Sequence, residues 1–250
     1  MLLAIANAPI DPLAQTRGAQ LAGLPPADFS RRLAGTLPRV LLAAAPVDQI
    51  GALVDGFESL GFVAFSCDPA AAPDDDDRLL VRGIVLESGA LAFLDGQGNC
   101  HACAGAALSL IQRGVRVTTT RETVTTNERR LDVGKAVLTG GLMVTSKIKK
   151  QSVRTEETRE AFLLLQRNDG QPDAIIYERR VDYRFLGADK QPASHANLER
   201  TLAHVRALAP DAPVDDRVAR PGFVTGLPIT SSDPVDLALY LVTLARTRGF

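Results

Sequence analysis

The chain has 250 residues, 46% of them hydrophobic and 23% charged, with no Trp and a formal net charge of −1. That composition packs an aliphatic core and excludes a disordered chain. Near-neutral charge excludes a global attraction to nucleic acid or to an anionic membrane, and 5% aromatics leave few rings on which bases could stack.

Three Cys, an odd number, argue against a secreted disulfide framework. Met1 to Ala6 is apolar but lacks a basic start, so no targeting segment is expected there. No run approaches the roughly 18 apolar residues that span a bilayer. The expected location is the cytoplasm.

In chain order, Leu2 to Ala6 reads as a short apolar strand. Asp11-Pro12 supplies an N-cap oxygen and a first-turn proline, which predicts a helix with Leu13 and Leu21 in the core and an end at Gly23. A second helix carries Phe29 and Leu33 on one face and closes at Gly35. Val40 to Ala44 is a continuous apolar strand. Pro46 opens a third helix with Ile50, Leu53, Val54, Phe57 and Leu60 at helical spacing, and Gly61 stops it before a strand over Phe62 to Phe65. This β-α-α-β-α-β order predicts a small sandwich: an antiparallel sheet with helices on one face.

Gly23-Leu24, the helix over 27–34, Gly35, the strand after Pro38, the helix from Pro46 and Leu60-Gly61-Phe62-Val63 together resemble the C-terminal domain of the bacterial ribosomal stalk protein. That fold is shared with the Clp-protease adaptor. The resemblance covers about 65 residues and implies a module for protein–protein contacts. Pro25-Pro26-Ala27-Asp28-Phe29-Ser30 stands where that family has a lysine-rich helix, so the stalk's factor binding is not implied.

Residues 68–77, with Pro69, Pro73 and Asp74 to Asp77, read as a solvated acidic linker. Beyond it the pattern turns to strands: Leu79 to Leu86, Ala90 to Leu94, Leu108 to Val117, Ala161 to Gln166 and Ala174 to Leu186. Thr118 to Thr126 is a β-prone, solvated tract. A helix follows, capped by Ser194, with Leu198, Leu202, Val205 and Leu208 on one face. Strands closed by one helix resemble a pleckstrin-homology-like domain over 78–210. Residues 211–250 are expected to end in a helix opened by Asp233-Pro234, with Leu237, Tyr240, Leu241 and Leu244 as its apolar stripe. The expected class is α+β.

Cys100-His101-Ala102-Cys103 is the sharpest local cluster, open to a zinc or a thiol-redox reading. Zinc needs four ligands, and no second CxxC or HxxxH completes the set. His195 and His204 are nine positions apart on one helix and face opposite ways. Gly134-Lys135 lacks the earlier glycine and the following Ser or Thr of a phosphate loop. Glu178, Arg180, Asp182 and Arg184 fall on one face of the last expected strand as a solvated ion-paired row.

Ala136 to Val144 is an apolar run with Gly140-Gly141 inside, followed by Lys147, Lys149, Lys150 and Arg154. Leu142 and Met143 with these cations form a candidate contact for a protein partner or, alternatively, for a membrane surface through 136–150. No acid, base and nucleophile assemble in the pattern. The expectation is a cytoplasmic binding or adaptor protein with an unidentified protein partner, no cofactor and no nucleic acid. The alternatives are a thiol or zinc protein using Cys100 and Cys103, and a peripheral membrane protein.

Overall fold

The computed structural model describes residues 1–87, 90–131, 145–220, 222–230 and 232–250, with side chains omitted at 87, 90, 119–131 and 145–156. The first strand, β1 (Leu2–Asn7), is the centre of an antiparallel sheet ordered β2-β1-β3, with β2 at Arg39–Leu42 and β3 at Val63–Cys67. Between them run α1 (Pro12–Leu21), α2 (Pro26–Leu33) and α3 (Val47–Ser59). The Asp11 carboxylate accepts from Leu13 N, with Pro12 in the first turn, and Gly23 and Gly61 turn the chain at positive φ beyond α1 and α3.

Within α1 the contacts differ from those expected. Leu13 is 69% exposed, and the small Ala14, Gly18 and Ala19 face the core instead. The reason is close approach: a Cβ on Gly18 would lie 2.9 Å from both the Phe29 and Phe62 rings. Phe29, Phe57 and Phe62 stack and cross edge-on at centroid spacings of 5.2–6.2 Å.

The first sheet is also covered on both faces, not one. Leu3 and Ile5 pack under α1 to α3, while Leu2, Ala4, Ala6, Phe65 and Cys67 pack on the C-terminal helix α5 (Pro234–Thr247) through Leu237, Leu241 and Ala245. The other side of α5, with Val235, Ala238, Leu239 and Val242, packs on Phe162, Leu164, Ile175 and Tyr177 of the central strands. One helix therefore buries apolar surface of both the N-terminal and the central regions.

The central strands do not close into a barrel among the described residues. They form two separate sheets. One is β5 (Gly83–Glu87), β6 (Ala90–Leu94) and β7 (Cys100–Cys103), antiparallel throughout. The other is ordered β11-β8-β9-β10-β4, with β4 at Leu79–Leu80, β8 at Leu108–Leu131, β9 at Thr145–Arg167, β10 at Ala174–Tyr177 and β11 at Val214–Asp215. A helix α4 (Ser194–Leu208) buries Leu198 and Val205 against the core made by Leu91, Phe93, Ile111 and Leu163. Ala193, not Ser194, is its N-cap, because the Ser194 hydroxyl instead bonds the Glu178 carboxylate at 2.5 Å.

Two further differences concern the central region. The strand expected to reach Leu186 stops at Tyr177, so Glu178, Arg180, Asp182 and Arg184 do not share a strand face. Asp182 caps a 3-10 segment, Tyr183–Asp189, whose Tyr183 and Leu186 are buried. The run Asp74 to Asp77, expected as part of a linker, is folded as a 3-10 turn closed by a capping box between Asp74 and Asp77, with Asp75 half-buried and the other three exposed.

The chain divides into two compact units, Met1–Arg116 with Glu160–Phe250, and Val117–Arg159. The expected N-terminal region, acidic segment and most of the central region thus lie in one unit. The other consists, among the described residues, of the outer parts of β8 and β9, which are neighbours in their sheet.

Candidate functional site

The β6–β7 pairing sets the fate of the Cys-His cluster. The register opposes Leu94 to Cys100, Phe93 to His101 and Leu91 to Cys103. Side chains three apart on a strand point to opposite faces, and their Cα atoms stand about 10 Å apart. A disulfide needs Cα atoms within roughly 7 Å. Cys100 is exposed, whereas Cys103 is 2% exposed within the core, where burial pushes its thiol pKa up. The two sulfurs cannot meet as a redox pair or as two ligands of one ion, which corrects both readings of this motif. His101 turns instead to Asp95, Nε2 to Oδ2 3.2 Å. The Asp95 carboxylate, held by the Asn99 side chain and then by His101, lies below the usual carboxylate range. Asp95 also accepts from the Gln97 and Asn99 backbone, so this group organises the turn.

A second constellation is absent from any sequence motif. Arg78 Nη1 reaches Asp236 at 2.5 Å and Asp75 at 3.1 Å. Arg116 reaches Asp236 at 2.8 Å, Asp75 at 3.2 Å and Asp233 at 3.4 Å. The Tyr177 hydroxyl donates to Asp75 at 2.5 Å, and burial, followed by that carboxylate, raises its pKa. Arg78 and Asp236 are each 3% exposed at the side chain. Two guanidiniums thus face three carboxylates, which pairs both cations and leaves one negative charge in excess. Such a network ties the 68–78 segment, β8, β10 and α5 together and offers no free acid, base or nucleophile.

A polar hollow of about 300 Å³ lies beside it, lined by Asp76, Asp77, Arg78, His101, Arg167 and Gln171. Its cations are already engaged, Arg167 by Asp169 at 2.6 Å and by the Ala102 carbonyl at 2.9 Å. Among the described residues no three His, Cys, Asp or Glu side chains gather as metal ligands.

The inner ends of β8 and β9 are fastened as firmly. Gln112 donates to the Leu239 carbonyl at 3.2 Å and to Thr243 Oγ1 at 2.9 Å, and Gln166 reaches the same hydroxyl at 2.5 Å. A Cβ on Gly114 would strike the Phe162 ring at 2.3 Å, so glycine is what lets β8 lie against β9 there.

Farther along, neither strand keeps its inner neighbour among the described residues. β11 has two residues and pairs with Ile111 and Gln112 of β8. β10 has four and pairs with Phe162 to Leu165 of β9. Over 117–131 and 145–159, therefore, β8 and β9 have no other strand neighbour among the described residues. Residues 117–159 hold nine of the chain's 28 Lys and Arg but only five of its 29 Asp and Glu, a net of +4 against −5 for the remainder. From 133 to 155 there are five cations, Lys135, Lys147, Lys149, Lys150 and Arg154, and no acid. Lys147, Lys149, Lys150 and Arg154 fall on β9, while Leu142 and Met143 lie outside the described residues. Strand structure over 145–160 gives no signal in the sequence, because no apolar alternation marks it. Among the described residues no helix is long and apolar enough to cross a membrane. Comparisons of the chain with protein-family models, with curated proteins and with solved structures give no match.

Proposed function

We propose that this chain is a non-catalytic binding protein of the cytoplasm that contacts an acidic protein surface through residues 117–159. The observation that carries this reading is the acid-free basic stretch 133–155, part of it on a strand whose outer edge has no strand neighbour among the described residues. Two strands alone are marginal in water, so a ribbon of this kind gains most by completing itself on another molecule. The fastened parts of the two strands support the same reading, since the Gln112, Gly114 and Gln166 contacts hold the first residues of β8 and the last residues of β9. The order β1-α1-α2-β2-α3-β3 supports reading residues 1–67 as a sandwich of the ribosomal-stalk type, a module suited to further protein contacts.

Co-purification of the tagged full chain from its native cell tests this. The expected result is a stoichiometric acidic protein, released by high salt and lost from the Lys147→Glu, Lys149→Glu, Lys150→Glu variant. Recovery of the chain alone at low salt defeats the reading. So does binding to anionic vesicles that accounts for all retention, since that outcome would make the basic stretch a membrane contact.

A further inference from the structure

We propose that the chain forms a two-fold homodimer in which the β8 edges of two ribbons pair antiparallel over residues 117–131. This goes beyond the contact just described and uses the opposite edge of the ribbon.

The two edges differ in what they present. Over 145–159 β9 carries five Lys and Arg against two Glu, a pattern that keeps edges apart. Over 117–131 β8 carries three Arg and two Glu among six Thr, nearly balanced in charge and strongly β-prone. That stretch is about 50 Å of strand whose outer edge has no strand neighbour among the described residues.

Two-fold symmetry restricts how such an edge can meet itself. For antiparallel pairing the axis stands perpendicular to the sheet, so paired residues must share a face and their numbers must sum to an even value. With the axis on Val124, all fifteen residues pair. The segment's three aliphatic residues, Val117, Val124 and Leu131, are evenly spaced, so Val124 meets Val124 of the partner subunit and Val117 meets Leu131 of the partner subunit. Thr123 meets Thr125 of the partner subunit, and every charged residue meets an uncharged one: Arg121 with Asn127, Glu122 with Thr126, Glu128 with Thr120, Arg129 with Thr119, Arg130 with Thr118. Moving the axis to Thr125 opposes Arg121 to Arg129 and Glu122 to Glu128, which repels. Parallel in-register pairing would set Arg121 on Arg121 and Glu122 on Glu122. Val117 supplies an independent observation at the near end of the edge: the residue is 44% exposed, an aliphatic group left for a partner to cover.

The axis position gives a sharp test, read by analytical ultracentrifugation of the full chain. The native chain should be a dimer. Val124→Lys and Val124→Asp should each raise the dimer dissociation constant at least about tenfold, because each places like charges face to face at the axis. An equimolar mixture of the two variants should recover the dimer, since Lys then faces Asp. Unchanged thermal melting of each variant would show that the fold is intact. A monomeric native chain, variants that dimerise unaided, or a mixture that stays monomeric would each overturn the proposal. Those results leave the acidic-partner reading standing if the Lys147–Lys150 variant still loses its partner. Loss of that reading alone would leave the dimer untouched.

Discussion

Asp215 shows how single carboxylates hold this molecule together. Its side chain is 1% exposed and accepts from Arg217 Nη2 at 2.6 Å and Arg246 Nη2 at 2.9 Å, which ties the segment after β11 to α5. Burial works against its charge, but the Arg217 hydrogen bonds outweigh burial and hold the carboxyl below the ordinary range. A pKa lower in the folded than in the unfolded chain stabilises the fold above the unfolded value of about 3.9 and loses that contribution as pH falls through the folded value. Urea midpoints taken from neutral pH down to acid should therefore fall, and Asp215→Asn should reduce the drop while lowering stability near neutrality. An identical pH profile in the variant would remove Asp215 as a source of acid sensitivity. The Arg78–Asp236 pair belongs to the same class of buried contact. Asp215–Arg217 is local, two positions apart, but the other two pairs are invisible in sequence spacing: 31 positions separate Asp215 from Arg246, and 158 separate Arg78 from Asp236.

At the scale of the element, α5 is the piece on which two apolar surfaces converge. Leu237, Ala238, Leu241, Val242 and Ala245 are all 0% exposed. Replacing Leu241 by Ala should cost about 2–5 kcal/mol, the range for a buried leucine whose cavity cannot collapse. Chemical denaturation should show that loss as a lower midpoint with an unchanged slope. A loss under about 1 kcal/mol would mean that α5 is peripheral. The apolar stripe of α5 and its Asp233 cap were legible in the sequence, as were the three N-terminal helices, because glycines, prolines and 3.6-residue spacing mark them. The two-sided role of α5 was not legible, since a stripe tells that a helix is buried but not by what. β9 was legible only at its inner end, where Phe162 to Leu165 is continuously apolar. Its outer part carries Lys, Ser, Thr and Glu without alternation, so the pattern that identifies half-buried strands is missing. Cys100 and Cys103 failed for a related reason. Spacing suggests chelation on a turn or helix, but a strand separates the same two residues to opposite faces.

The whole molecule pairs one contact-rich unit with a second unit made, among the described residues, of two strands. The interactions that secure the first close inside it: Arg116 on Asp75 and Asp236, Gln112 and Gln166 on Thr243, and Phe162 over Gly114. None uses a side chain from 117–159. Replacing 118–158 by a short glycine-containing turn between Val117 and Arg159 should accordingly leave the first unit folded, because the register of β8 with β9 is pinned at the bonds that remain. The expected product melts cooperatively within a few degrees of the full chain, a shift that corresponds to about 1 kcal/mol for a body of this size. It should also be monomeric and should fail to retain an acidic protein at low salt. Its net charge becomes more negative, since the excised stretch is the basic part of the chain. Circular dichroism, sedimentation and co-purification read the three properties separately. Non-cooperative melting would show that the ribbon helps to build the first unit. A stable product that still dimerises and still holds its partner would place the interaction surface elsewhere on the molecule.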